Sequence, residues 1–451
     1  MADSGSERTI AQGLEPISKS NRVLKGHDLG MIWLAAAINI AYIFIASFVL
    51  LPLAGFWNTI IAIIIGVSVT GIPFALTGII GTEKGITSMV SGRAAFGIRG
   101  SYILSVINAI TCIGFSAILT IISAISLNLV TQTMFGYTNF VLMVSAISII
   151  QWAFTLSGYK PFWKWLMNSM MVILTALMVV AMLVVLLNFN LLDKIATQTG
   201  LGMPLTAAID IVIGAGPISW ATYVSDYTRL SKTGSRAGFG WVYLGFIPAV
   251  IWMMIIGVIT GTVTNATDPS SIMAVLGLGI PAVIIIILSA ITANFLDIYS
   301  GSCSIMNLSS KLNLKVAVSI IAALSWGVAL IPGFMDNFEQ FLYLVAYTLG
   351  PWVSIVLVDY FLVNRNYDPN DLFRSDKGFW YTKGFNLKGL ISWTIGVVIF
   401  FAFEYEWPTL LNYSPAALPS LTASAVIYYV LSRKRSPRRP TEITNNPAGQ
   451  N

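Results

Sequence analysis

Long apolar runs, each closed by a short polar stretch, recur down the whole chain. "MIWLAAAINIAYIFIASFVLL" from Met31 and "MMVILTALMVVAMLVVLLNFN" from Met170 are two of them. Each is near the roughly 20 residues that an α-helix needs to cross the hydrocarbon core of a bilayer. The pattern predicts twelve spans, at about 29–54, 58–81, 102–133, 138–157, 164–191, 205–228, 239–263, 278–304, 313–331, 337–364, 387–407 and 416–432. Backbone groups in lipid must be satisfied within their own segment, and a barrel would need short alternating strands instead, so the spans are helices. The fold class is an all-α polytopic membrane protein. Outside the spans, residues 1–28 and 433–451 form the two tails, with 1 to about 20 and 436–451 polar enough to read as flexible.

Composition removes the soluble alternatives. Of 451 residues 56% are hydrophobic and 10% charged, against about 25% charged in an ordinary soluble domain. Charge then orients the chain. If residues 1–30 are cytoplasmic, 24 of the 25 Lys and Arg fall in cytoplasmic loops and tails, and Lys194 alone lies outside. A missed or invented helix would invert every later loop, so this asymmetry supports both the span number and cytoplasmic termini. The net charge of +6 therefore calls for no nucleic-acid partner, and "SRKRSPRR" near the C-terminus reads as a topology signal in contact with anionic lipid. The first 28 residues hold no apolar signal-peptide core, so the first span is its own insertion signal, and the expected location is the plasma membrane. Cys112 and Cys303 fall within spans and suggest no disulfide framework.

Polar residues inside the spans are few. Asp210 and Asp226 lie near the ends of span six, Asp297 inside span eight, and Asp359 late in span ten near Arg365. A carboxylate within a bilayer is costly and is a functional candidate by default. Hydration near the interface suits Asp210 and Asp226, and a structural partner suits Asp359, which leaves Asp297 as the best candidate.

Span six contains "VIGAGPISWATYVSDYTR", Val212 to Arg229, with Gly214, Gly216 and Pro217 at its centre. Pro217 has no amide hydrogen and clashes with the carbonyl four residues back, so the span is expected to break into two half-helices. Pro217 suits the first turn of the inner half, which leaves the N–H groups of Ser219 and Trp220 open to a ligand. Spans one to five (29–191) and six to ten (205–364) form two blocks of five, with 387–432 holding helices eleven and twelve. An odd block length inverts the second block, and inverted repeats with interrupted helices at mid-membrane are a recurring transporter plan. Span one, the partner of span six, reads "WLAAAINIAYIF" at its centre, with Asn39 its one polar residue and no visible break.

Four stretches carry a family resemblance: "GRAAFGIRGS" before span three, "WATYVSDYTR" ending span six, "TANFLDIYSGS" in span eight and "FLYLVAYTLGPWVSIVLVDYF" in span ten. Over nearly all of residues 25–432 the chain resembles the nucleobase:cation symporter-1 family of purine, cytosine, allantoin and hydantoin permeases. The resemblance implies the leucine-transporter-type fold, a five-plus-five inverted repeat plus two helices. It also implies inward symport of a small planar heterocycle with a cation, without a cofactor. By position, the substrate site would use the backbone from Gly216 and Pro217 to Ser219, the rings of Trp220 and Phe115, and the amide of Asn294. A Gln-x-Gly-Trp pattern of cytosine permeases stands here as "CIGF", with Cys112 and Phe115 in the outer places. That loss of an amide argues against a simple cytosine permease and leaves purines, hydroxymethylpyrimidine, uracil-like and hydantoin-like rings. The chemistry agrees with the site, since a planar base needs rings for its faces and an amide for its rim.

The family's cation site would here comprise carbonyls near Ala36 and Asn39, the carbonyl of Ser289 and the hydroxyl of Thr292. Sodium-coupled members usually follow with a second hydroxyl, where this chain has Ala293. Asp297 offers another device, because a carboxyl in a low-dielectric site can exchange a proton near neutral pH. Sodium and proton both remain open, as does the oligomeric state. An enzyme is disfavoured: the one histidine is His27 at the cytoplasmic edge, and there is no H-E-x-x-H motif or evident carboxylate dyad. A channel or substrate-sensing receptor on the same helices is the alternative.

Overall fold

A computed structural model of the chain describes residues 13–157, 161–188, 190–264, 280–309, 311–376 and 378–433. Expectations that fall on residues 1–12, 158–160, 189, 265–279, 310, 377 and 434–451 lie outside these. Among the described residues seven helices are long and apolar enough to cross a bilayer, a bent pair makes another crossing, and four shorter apolar helices accompany them. Their order follows the expected spans, with most ends within about four residues of those read from the apolar runs. Spans two and three are Phe56–Lys84 and Gly100–Phe135; seven and eight are Ser235–Thr264 and Ile280–Leu308. Span ten is Phe338–Val358, and span twelve is Ala417–Ser432. The chain is an all-α polytopic membrane protein, ringed by exposed apolar side chains such as Trp57, Val69, Ile149 and Leu244.

Small residues let these helices come close, as in other membrane bundles. A Cβ on Gly245 of span seven would stand 2.6 Å from the carbonyl oxygen of Gly30 in span one, and one on Gly301 of span eight 2.9 Å from Cβ of Cys112 in span three. These contacts set span seven against span one and span eight against span three.

The N-terminal segment departs from expectation. Residues 13–25 are no free tail but a strap across one end of the bundle. Ile17 N donates to Gly85 O at 2.9 Å, and Leu24 N donates to Leu230 O at 2.8 Å. Arg22, 3% exposed, donates to the carbonyls of Ile17, Thr82 and Ser231. Arg229 donates to Gly13 O at 2.9 Å. The polar composition that suggested flexibility serves instead to satisfy loop carbonyls. A short helix, Ser88–Phe96, also lies between spans two and three. Its Arg93, counted with the loop cations in the sequence, is buried and donates to Asn307 Oδ1 at 2.9 Å.

Candidate functional site

Both spans one and six are interrupted. The first half of span one ends at Ala37, Ile38 and Asn39 leave the helical region (φ −78°, ψ 73° and φ −127°, ψ 128°), and the second half starts at Ile40. Asn39 Oδ1 accepts from Ala41 N at 2.9 Å, so the lone polar residue of the span is an N-cap for its second half. The two halves bend by 42°. Ile38 N still donates to Leu34 O at 2.9 Å, but Asn39 N turns to Ala37 O at 2.9 Å, so the regular helical bonding of the first half ends here, next to Ala36.

Span six breaks at Gly216 (φ −102°, ψ −132°), and Pro217 opens the next helical piece as expected. The inner half is not one helix, however. It divides at Thr222 and Tyr223 into Pro217–Ala221 and Val224–Thr228, so the N–H groups of Ser219 and Trp220 act as local donors without a long helix behind them. Ser219 Oγ donates back to Gly216 O at 2.8 Å. A Cβ on Gly216 would stand 2.7 Å from the chain's own Val212 O, so the backbone itself requires the glycine.

Aromatic side chains from four spans converge on this break. The Trp220 ring centroid lies 5.2 Å from Tyr223, 5.7 Å from Phe246 and 6.2 Å from Trp33. Trp33 in turn packs edge-on to Phe74 at 5.0 Å and to Tyr227 at 5.9 Å. Phe115 belongs to a different cluster, edge-on to Phe341 of span ten at 5.1 Å. Phe338, on the same span, faces Phe44 of span one at 6.0 Å. The two rings expected to sandwich a ligand therefore each sit in their own aromatic group.

Span eight supplies the polar side. Asn294 is fully buried; its Nδ2 donates to Ser116 O at 3.2 Å and to Thr120 Oγ1 at 3.3 Å, and its Oδ1 has no partner. Thr120 is also bonded to Gln151 Oε1 of span four at 2.9 Å. The donor half of the amide thus ties span eight to span three, and the acceptor half alone is open. Thr292 Oγ1 lies 2.9 Å from Ser289 O and 3.1 Å from Leu288 O, so the hydroxyl hydrogen stays on its own helix and its oxygen lone pairs stay available. Asp297 is 1% exposed, and neither carboxyl oxygen has a partner. Tyr223 stands between Asp297 and Cys112, and Tyr42, just past the break in span one, borders Trp220 and Asp297.

The other three carboxylates are tied down. Asp210 accepts from Ala416 N at 2.6 Å and Ala417 N at 2.9 Å, at the start of span twelve. Asp226 accepts from Ser88 N at 2.9 Å, with Arg229 beside it. Asp359 accepts from Tyr428 Oη at 2.5 Å and Asn364 Nδ2 at 2.8 Å. Sequence reasoning missed Tyr42, Tyr223, Trp33 and Gln151. Aromatic residues are ordinary in apolar runs, and Gln151 carries no local motif; a single sequence does not say which of them face one another.

Two interrupted helices around buried aromatic and polar groups, within a polytopic bundle, are the architecture of a membrane transporter. The chain belongs to the family of permeases for cytosine/purines, uracil, thiamine and allantoin, whose sequence profile matches residues 16–427; it is a transporter and not an enzyme. It is 27% identical to the hydantoin permease of Microbacterium maritypicum over 412 residues, 86% of this chain and 83% of that one. It is 24% identical to the allantoin permease of Bacillus subtilis over 476 residues, 96% and 95% of the two chains. Its fold resembles that of Mhp1, a nucleobase-cation-symport-1 family transporter solved in a closed conformation with bromovinylhydantoin bound, with a TM-score of 0.78 at 24% identity over 93% of this chain and 94% of that one.

Proposed function

We propose that this permease imports a nucleobase or a related small planar heterocycle by symport with a cation, through alternating access, across the plasma membrane. The observation that carries the reading is the meeting of both helix breaks with the rings around Trp220 and the open groups of span eight. Apolar faces and a rim of donors and acceptors are what such a ring offers. Membership of the permease family supports the substrate class. Spans one and six, the interrupted ones, stand five apart, which supports two inverted five-helix repeats at 29–191 and 205–364 with helices eleven and twelve added. The one-sided Lys and Arg support cytoplasmic termini.

In this reading Trp220, Asn294 and the backbone from Gly216 and Pro217 to Ser219 hold the substrate, with Phe115 and Cys112 on the span-three side. Ala36, Asn39, Ser289 and Thr292 offer oxygens for sodium, but Ala293 supplies none. Asp297 carries the coupling proton instead. A thermal-shift screen of the purified chain against a heterocycle panel, with and without sodium, tests the function. Stabilisation by at least one nucleobase or hydantoin is expected, and no response to any planar heterocycle would contradict it.

A further inference from the structure

Asp297 differs from the three other aspartates in the spans. Asp210, Asp226 and Asp359 each accept at least one hydrogen bond, whereas both oxygens of Asp297 are buried without a partner. The hydroxyls of Tyr42 and Tyr223 and the Oδ1 of Asn294 share that condition. Buried polar atoms are nearly always paired, and leaving one unmet is unfavourable. They come from spans one, six and eight: Tyr42 and Tyr223 stand beside Trp220 near the two helix breaks, and Asn294 lies three residues before Asp297 on span eight. These are unmet hydrogen-bonding atoms that the rim of a ligand would satisfy.

We propose that the Asp297 carboxyl, flanked by the hydroxyls of Tyr223 and Tyr42, reads the rim of the heterocycle, and that it does so in its neutral form. This rests on the heterocycle reading above and names the edge that is read. The titratable groups facing the carboxyl are Tyr42 of span one, Cys112 of span three and Tyr223 of span six. None is a cation. Arg229 lies farther along span six, where it donates to Gly13 O and to Tyr299 Oη. An ionised carboxylate without a counter-charge in an apolar interior is far costlier than the acid. The acid presents one O–H donor beside one carbonyl acceptor, the same pattern as a primary amide. That pattern closes two parallel hydrogen bonds with an edge on which a donor and an acceptor are adjacent: the N=C–NH2 of a cyclic amidine or the HN–C=O of a lactam. Cys112 stands where the family resemblance leads one to expect an amide, and Cys112 and Asp297 border the same tyrosine. The carboxyl therefore takes over, from span eight, the role that span three has lost.

The test is equilibrium binding to the purified full-length chain in detergent, between pH 5.5 and 8.5, with cytosine, adenine, uracil and hydantoin as probes. Wild type is expected to bind at least one of them, more weakly as pH rises and the acid ionises. Asp297→Asn keeps the donor and acceptor and is expected to bind the same probe with similar affinity at all pH values. Asp297→Leu removes both and is expected to bind about 10- to 100-fold more weakly. Tyr223→Phe, which removes one hydroxyl and little volume, is expected to weaken binding by about threefold to tenfold. Wild-type affinity in both Asp297→Leu and Tyr223→Phe would overturn the proposal while leaving the transported class intact. Equal loss in Asp297→Asn and Asp297→Leu would overturn the neutral form, since it would mean that an anion meets a cationic ligand. Failure of wild type to bind any probe would overturn the heterocycle reading and this inference with it.

Discussion

The amide of Asn294 donates to the backbone carbonyl of Ser116 at 3.2 Å, so span eight is fastened to span three by the donor half of a side chain whose acceptor half is unused. Its two ends have separable consequences. Asn294→Ala is expected to lose both the tie and the ligand contact, with a stability loss of about 1–3 kcal/mol and loss of saturable uptake. Thr120→Val removes a partner of the amide hydrogens and leaves Oδ1 in place, so it is expected to lower the unfolding temperature while affinity changes little. Thermal unfolding and substrate binding, measured on both variants, separate the two; unchanged affinity in Asn294→Ala would remove this residue from the site.

Asp210 is a cap and not part of the transport chemistry. Its carboxylate meets the N–H groups of Ala416 and Ala417 where span twelve begins, the end of a helix that favours negative charge. Asp210→Ala is expected to cost about 1–2 kcal/mol of stability and to leave ligand affinity as in wild type. A binding defect in a folded Asp210→Ala protein would contradict this assignment.

At Gly216 even one added carbon collides with Val212 O. Gly216→Ala is therefore expected to lower the unfolding temperature, and Gly216→Val to lower it further, because a branched side chain narrows the backbone choices as well. The comparison of melting curves is decisive: a fully stable Gly216→Val protein would mean that the break tolerates side chains.

The strap formed by residues 13–25 bears on cysteine accessibility. Cys303 is 2% exposed and neighbours Arg229 and Tyr299 beneath it. Arg22→Ala removes the bonds to the Thr82 and Ser231 carbonyls. In a Cys112→Ala background it is expected to speed maleimide labelling of Cys303 from the strap side about fivefold, equivalent to about 1 kcal/mol. Labelling at the wild-type rate would show that the strap does not hold that face closed.

The spans were legible because a bilayer imposes length and apolarity on every crossing, and Pro217 marked the break in span six because proline cannot continue a helix. Span one breaks without glycine or proline. Asn39 achieves it by capping Ala41 N, and an asparagine in an apolar run is equally compatible with an unbroken helix bonded to a neighbour. The carboxylates could be counted from the sequence but not sorted. Partners such as Ala416 for Asp210 or Tyr428 for Asp359 lie far along the chain, and no local pattern announces them. The same holds for Tyr42 and Tyr223, whose importance comes only from standing beside Asp297.

Substrate uptake into proteoliposomes under imposed ion gradients, with the membrane potential clamped, tests the central claim most directly. Ala293 leaves the oxygen set of Thr292, Ser289 and the span-one carbonyls without a second hydroxyl, and among the described aspartates of the spans Asp297 is the one with both oxygens buried and without a partner. Uptake is therefore expected to respond more to an inward proton gradient than to sodium, Asp297→Asn to bind but no longer respond to the proton gradient, and Ala293→Ser to gain sodium dependence. Strict sodium dependence of the wild type, with Asp297→Asn still fully coupled, would contradict the account and return the cation to Ala36, Asn39, Ser289 and Thr292.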